Sequence, residues 1–283
     1  MPDEVVDALK DLSPTVLVDG TFGGGGHARR LVDHLDPGGV IVAMDRDPAV
    51  FDRWQSEAID VPIDLFLGSY ERIPQALESL GRSHADGLVL DLGLSSDQLA
   101  DRERGFSYRG DGELDMRFDP DGGVPAWRWL ELRDETEIAD AIYQYGEERK
   151  SRRVARAIVE SRRRGDPVRT VGQLAAICQR AVPRGRNHKI DPSTRTFQAL
   201  RIAVNDELGI LKRTLDAAPT WIRSGGRAAI ISFHSLEDRI VKHAFRDDER
   251  WRVETPKPLL PTDREIELNP RSRSAKLRVA TRV

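Results

Sequence analysis

Four consecutive glycines at 23–26 sit between a short apolar run, Val16, Leu17 and Val18, and a helix-length segment that starts at Ala28. Glycine has no Cβ, so such a run lets the backbone approach a ligand closely and take up positive φ at a strand-to-helix turn. A turn that only reverses the chain does not need four glycines in a row. The run therefore points to an α/β chain with a ligand-holding loop at the end of its first strand.

The text around the loop supports that fold class. Short apolar runs at 15–18, 40–44, 63–67 and 87–90 each end in glycine or an acid, and helix-length segments separate them. Repeated βαβ units of this kind build a parallel, doubly wound sheet. After Asp91 the pattern stops. Residues 101–121 are turn-rich and polar, and helical signals then run almost unbroken to about 215. Strand texture returns at 227–233, after a Gly225-Gly226 turn. The expected organisation is a Rossmann-like domain in two parts, 1–101 and 213–283, with a helical domain at 102–212 inserted between its fourth and fifth strands. The second part is expected to end in a basic tail.

Composition excludes several classes. The 283 residues are 39% hydrophobic and 32% charged, far from the composition of a disordered chain. No stretch reaches the roughly 20 apolar residues of a membrane helix, and the start MPDEVVDALK has neither the basic beginning nor the apolar block of a signal peptide, so a cytoplasmic location is expected. Cys178 is the sole cysteine and the six histidines show no close paired spacing, so no metal site is expected.

The formal net charge of -3 argues against a nucleic-acid partner until its distribution is considered. Residues 147–164 hold eight Arg or Lys against three Glu, and 271–283 hold five basic residues and no acid. On a 3.6-residue period Arg149, Arg152, Arg156 and Arg163 share one side, with only Glu160 nearby, opposite Val154, Ala157 and Ile158. A solvated charged face is the plain alternative, but a stripe of four arginines suits RNA phosphates. Arg195, Arg201, Arg271, Arg273, Lys276 and Arg278 are expected to extend it.

The second strand ends in Asp45, 20 residues after Gly25, where an acid accepts hydrogen bonds from ribose hydroxyls. That spacing serves a nicotinamide dinucleotide or S-adenosylmethionine alike. The loop is not the regular G-x-G-x-x-G, and Asp19 just before it is placed to attract the cationic methionine end; both favour S-adenosylmethionine. Asp91 ends the fourth strand, beyond which ligands of open α/β sheets bind. Tyr70 is read either as an adenine contact or as a loop tyrosine, and Gln98 as a plain polar loop residue. His234 is a weak catalytic candidate and more simply an anchor for its own loop, and 236–239 (LEDR) reads as a helix start with local charge pairing. A nicotinamide-dependent oxidoreductase and a non-catalytic RNA-binding protein remain alternatives at this point.

Eight ordered motifs bring in a further argument: VDGTFGGGGH (18–27), MDRDP (44–48), LDLGLSS (90–96), ERGFS (103–107), LDMR (114–117), YGEER (145–149), TRTFQALR (194–201) and SFHSLEDR (232–239). Together they resemble the ribosomal small-subunit RNA cytosine-N4 methyltransferases, the RsmH or MraW family, over about 5–278. The resemblance implies a class I methyltransferase sheet with an inserted helical domain, S-adenosylmethionine as methyl donor, and a cytidine of 16S rRNA in the P-site region of the small ribosomal subunit as substrate. By motif it places the cofactor contacts on Gly25, Gly26, His27, Asp45, Tyr70, Asp91 and Gln98. A homodimer is compatible with it, and Asp91 becomes the leading catalytic candidate for attack of the cytosine amine on the methyl group. C5 methylation needs a cysteine nucleophile, and Cys178 lies in the helical part. Asp91-Leu92-Gly93 replaces the Asn/Asp/Ser-Pro-Pro-aromatic motif of DNA amino methyltransferases. Three departures stand out: the few residues that usually precede Val5 are missing, so the natural start is expected upstream; Asp191-Pro192-Ser193 replaces His-Pro-Ala; and 245–261 is shortened.

Overall fold

The apolar runs of the sequence become strands β1 (Val16–Asp19), β2 (Val40–Asp45), β3 (Ile63–Leu67), β4 (Ala85–Asp91) and β5 (Ile222–Ser232), joined by β6 (Trp251–Val253) and β7 (Lys276–Arg282). The computed structural model describes residues 1–56, 61–182 and 191–283. One sheet holds all seven strands in the order β3-β2-β1-β4-β5-β7-β6. The first five are parallel, and β7 lies antiparallel between β5 and β6. This is a Rossmann-like sheet, yet it departs from the dinucleotide order 3-2-1-4-5-6 by wedging the antiparallel β7 beside β5.

Burial on both faces explains why these strands read as continuous apolar runs. Because strand side chains alternate, Val16, Val18, Val42, Met44, Leu88, Leu90, Ala228 and Ile230 share one face. Their partners there come from α4 (Ile73–Ser79), α11 (Glu207–Trp221) and α12 (Ser235–Asp247). Leu17, Ile41, Ala43, Val89, Ala229 and Ile231 occupy the other face, against α1 (Pro2–Leu9), α2 (Gly26–Leu31) and α3 (Pro48–Ser56).

The chain divides into a sheet unit, Met1–Gly93 with Leu208–Val283, and a helical unit, Leu94–Glu207. The helical unit contains α5 (Ser96–Ala100), α6 (Ala126–Leu132), α7 (Glu135–Gly146), α8 (Ser151–Arg163), α9 (Val171–Ala181) and α10 (Ser193–Asn205); α13 (Asp263–Leu268) belongs to the sheet unit. Reciprocal side-chain to backbone caps, Asp134 with Glu137 and Thr170 with Gln173, fix the starts of α7 and α9. Among the described residues no helix is long and apolar enough to cross a membrane.

Three expectations need correction. The Gly225-Gly226 pair lies inside β5, opposite a register shift at Ala85 and Gly87, so β5 starts at Ile222 and not at 227. The polar stretch 101–121 contains Leu114 and Met116, both fully buried in the helical core, and Asn205 ties it down through Phe118 N (2.9 Å) and Met116 O (2.7 Å). Most consequentially, the basic tail does not exist as a tail. Residues 276–282 form β7, with Leu277 and Val279 on one face and Ala280 on the other. Counting charge along 271–283 hid a two-residue alternation.

Arg278 is buried and its Nε donates to Asp238 Oδ1 of α12 at 2.7 Å, while Lys276 Nζ reaches Asp238 Oδ2 at 3.2 Å. Burial opposes the Asp238 charge, but the bonds from Arg278 and Lys276 outweigh it and hold the carboxyl below its ordinary range. These residues join helix to sheet and do not extend an RNA surface. We therefore expect Asp238→Ala to cost about 2–4 kcal/mol in urea unfolding, because it strands the Arg278 charge. Arg273→Gln, at an exposed position, is expected to change stability by less than about 0.5 kcal/mol. Because the Asp238 pKa is depressed on folding, its contribution holds above about pH 4 and fades as pH falls through the folded value.

Candidate active site

β1 and β4 are neighbours from which the chain departs in opposite directions, which makes their carboxyl ends the switch point of the sheet. Asp19 ends β1, Asp45 ends β2 and Asp91 ends β4. The glycine loop is laced to these strands by backbone: Gly20 N donates to Val89 O (3.0 Å) and Phe22 N to Met44 O (2.9 Å). Gly23 N donates to Asp45 Oδ2 at 2.8 Å, and Asp47 N to Asp45 Oδ1 at 2.9 Å. Asp45 thus latches the loop, a role that the spacing argument missed.

Two glycines are required by what surrounds them. A Cβ on Gly20 would lie 2.5 Å from Leu90 Cδ2 and 2.9 Å from Tyr70 Cβ. Gly25, with φ +72°, starts α2, and a Cβ there would lie 2.8 Å from the Phe22 ring. Phe22 is buried edge-on to Trp54, with ring centroids 4.9 Å apart. The other side of the loop is open, since a Cβ on Gly24 or Gly26 would meet nothing within 4 Å.

Behind the loop lies a cluster of ionisable groups. His27 Nε2 is 3.2 Å from Asp91 Oδ2, and Asp91 N donates to Thr21 Oγ at 2.6 Å. Asp19 is 1% exposed and accepts one hydrogen bond, from Thr21 N at 3.1 Å. Asp19 Oδ2, His27 Nδ1 and Asp91 Oδ1 are buried with no hydrogen-bond partner. Leaving a buried polar atom unpaired costs about 1–3 kcal/mol, so three together mark a place where a polar ligand belongs.

Burial pushes the Asp19 carboxyl up to about 6 in spite of the neighbouring His27 charge. Burial also works against a charged His27, but the Asp91 hydrogen bond and the charges of Asp91 and Asp19 outweigh it and raise the imidazole above its ordinary value. Burial lifts Asp45 too, opposed by the Asp47 and Gly23 amides. An acid-rich cluster with this unmet demand favours a cationic ligand.

The remaining expected residues fall in several places. Tyr70 follows β3 on a single helical turn (Tyr70–Arg72) over Gly20, so Gly25, Gly26, His27, Asp45, Tyr70 and Asp91 all belong to the sheet unit. Gln98 belongs to the helical unit, where it shares a capping box with Ser95 at the start of α5. His234 caps α12: its Nδ1 accepts from Glu237 N at 3.4 Å, and Glu237 Oε2 accepts from Phe233 N at 2.8 Å. His234 Nε2 lies at ion-pair distance from Glu237 Oε1, 3.1 Å, without hydrogen-bond alignment. That arrangement favours the anchor reading of His234, whose Nε2 is nevertheless buried with no hydrogen-bond partner. Cys178 is fully buried in α9, and burial pushes its thiol up to about 12, so it is no nucleophile.

A scan against family models matches the chain over residues 1–283 to the MraW methylase family. The chain belongs to the MraW methylase family. A protein of Rhodopirellula baltica named ribosomal RNA small subunit methyltransferase H is 60% identical over 100% of this chain and 90% of its own length. Proteins of the same name from Synechococcus elongatus (48% identical; 99% of this chain, 92% of the relative) and Anaplasma marginale (45%; 99% and 97%) are similar throughout. As a MraW methylase the chain is an S-adenosylmethionine-dependent methyltransferase. Its site fits that cofactor: the buried Asp19 suits an ammonium or sulfonium cation, Asp45 suits ribose hydroxyls, and the open side of the loop admits a close approach.

In the helical unit, α8 buries Val154, Ala155, Ile158 and Val159 and exposes Arg152, Arg156 and Arg163, with Arg149 exposed just before it. Arg156 pairs with Glu135 at 3.5 Å, an acid the helical-period argument did not see because it lies on α7. Among the described residues Arg149, Arg152 and Arg163 make no ion pair. Arg162 is spent on structure: its Nη1 donates to the carbonyls of Leu130, Glu131 and Arg133 at 2.8–2.9 Å, closing the end of α6. Arg201 forms a two-pronged pair with Glu207 (2.8 and 2.9 Å), and Arg195 lies against Glu147 O and Glu148, so neither extends the stripe.

The raised Asp19 pKa has a stability consequence. Between about pH 4 and about pH 6 the folded chain keeps a proton on Asp19 that the unfolded chain has lost, so stability falls as pH rises through that window. Asp19→Asn is expected to remove that decline and to stabilise the ligand-free chain at neutral pH by about 1–3 kcal/mol. Denaturant titrations of both chains at a series of pH values check this, and equal pH profiles would rule out a strained Asp19.

Proposed function

We propose that this methyltransferase transfers a methyl group to the N4 amine of a cytidine in 16S rRNA, in the P-site region of the small ribosomal subunit, and that it works in the cytoplasm. The observation that carries the reading is the trio of unpaired buried atoms on Asp19, His27 and Asp91 behind the glycine loop. The printed name of the relatives, ribosomal RNA small subunit methyltransferase H, supports the RNA class.

S-adenosylmethionine supplies an electrophilic methyl group on a cationic sulfur. Gly25 and Gly26 would present bare backbone to it, Asp19 and His27 would hold its charged end, and Asp45 would share its carboxylate between the loop and the ribose. Tyr70 would offer a ring for adenine. Asp91 acts on the base. The lone pair of the cytosine amine is delocalised into the ring, and a carboxylate that accepts its N–H localises the pair for attack. Most of the acceleration is then positioning, of a base that has left its stack. Arg149, Arg152, Arg156 and Arg163 take RNA phosphates.

Nucleoside mass spectrometry of 16S rRNA or small subunits incubated with the protein and S-adenosylmethionine tests the reading; N4-methylcytidine is expected, and a methyl group on any other atom would sink it. Asp91→Asn is expected to leave donor affinity within a few-fold while slowing single-turnover transfer by about 10²–10⁴. Unchanged transfer would leave Asp91 a structural residue. Replacing Arg149, Arg152 and Arg163 together with Gln is expected to lower the salt slope of RNA binding by about two to three and to spare donor binding. An unchanged slope would make the stripe a solvated face.

A further inference from the structure

The proposed reaction leaves one proton to place. When the amine nitrogen bonds to the methyl carbon, the sulfur keeps the electron pair of the broken bond, and the nitrogen must shed a proton. Asp91 is the first acceptor, but a carboxylate is a poor resting place for a proton at neutral pH. What stands behind Asp91 is His27, with Nε2 at 3.2 Å from Asp91 Oδ2 and the ring largely sealed from solvent. Its Nδ1 is buried and unpaired, as is Asp19 Oδ2.

We propose that His27 is the positioning and proton-accepting partner of Asp91, and that a cation held at Asp19 frees it for that task. This rests on the functional reading above and deepens it. The groups that act on His27 are the carboxylates of Asp91 and Asp19, which favour its charged form, and the chain N-terminus, which disfavours it; Asp45 acts on Asp19. In the ligand-free chain the two acids favour the protonated imidazole, and a protonated ring cannot take another proton from Asp91. A cation beside Asp19 cancels one of the two pulls, which moves the ring toward the neutral form that can accept the proton. After transfer, the proton passes from the amine to Asp91 and from Asp91 to His27 Nε2. Acceptance is thereby coupled to occupancy, and the site does not become basic while the donor is absent.

Two measurements decide this. NMR titration of the His27 ring in the full chain, without RNA, is expected to show its midpoint falling by about half a pH unit or more on adding S-adenosylhomocysteine, whose ammonium group is the probe cation, and also in Asp19→Asn alone. A midpoint unmoved in both overturns the coupling. Single-turnover transfer at saturating donor and RNA is then followed against pH. His27→Gln, which still donates a hydrogen bond to Asp91 but does not titrate, is expected to lose one ionisation from the profile and to slow about 10- to 100-fold. His27→Asn serves if the Gln variant does not fold. A variant that regains the wild-type rate and pH profile at saturating donor shows His27 to be a cofactor contact only, and overturns the proposal. A wild-type chain that methylates no cytidine overturns the functional reading instead, while the NMR titration still judges the coupling.

Discussion

The hydrogen bond from Gly23 N to the Asp45 carboxylate sets the site, because it fixes the glycine loop to the end of β2 while Gly20 N fixes the same loop to β4. With both ends tied, the positions of Asp19, Thr21 and His27 follow from the covalent chain. Asp19 sits beneath the loop, Thr21 takes the Asp91 amide, and the first turn of α2 delivers His27 to Asp91. The loop has no freedom to relax away from these acids. That rigidity is what makes their burial costly, and a site that is strained before it binds loses little by ordering when it does.

The unmet demand is concentrated. Elsewhere in the sheet unit a buried acid is answered: Asp86, at the opposite end of β4, accepts from Thr15 N and Val16 N at 2.7 and 2.8 Å and pairs with Arg223, and Asp238 has Arg278 and Lys276. Both fall below their ordinary pKa against the effect of burial. Asp19 receives one backbone N–H and a histidine, and rises. Asp86 at one end of the sheet is thus stabilised and Asp19 at the other destabilised, and of the two only Asp19 is left without a full set of structural partners.

How far the sequence reached can be argued from particular elements. β1, β2, β4 and the second half of β5 were legible because each is buried on both faces and so reads as an apolar run, while the edge strand β3 was marked by its leucines, isoleucine and phenylalanine. β7 was not, because LRVATR mixes its apolar residues with arginine and threonine, and its arginines read as a charged tail until Asp238 is seen beside Arg278. Leu114 and Met116 were lost for a similar reason, being two core residues in a polar stretch, one of them at φ +63°. At the site, Asp45 and Asp91 were marked by position at strand ends. The latch between Asp45 and Gly23 and the pairing of His27 with Asp91 carry no local pattern. They join residues 22 and 64 positions apart, and only the fold brings them together.

The arginines show why residue type is a weaker guide than placement. Arg162 and Arg163 are adjacent on α8, yet one closes the end of α6 through three carbonyls while the other is exposed. Arg201 and Arg278 are committed to Glu207 and Asp238 inside the protein. A guanidinium already bound to carbonyls or a carboxylate has few donors left for phosphate, so local charge density overstates a nucleic-acid surface. Of the four arginines of the stripe, Arg149, Arg152 and Arg163 survive that subtraction, with Arg156 held by one partly exposed acid at 3.5 Å, a contact weak enough for a phosphate to displace. The net charge of -3 and an RNA substrate are compatible on these terms, since Arg149, Arg152 and Arg163 lie exposed on or just before α8 whatever the total charge is.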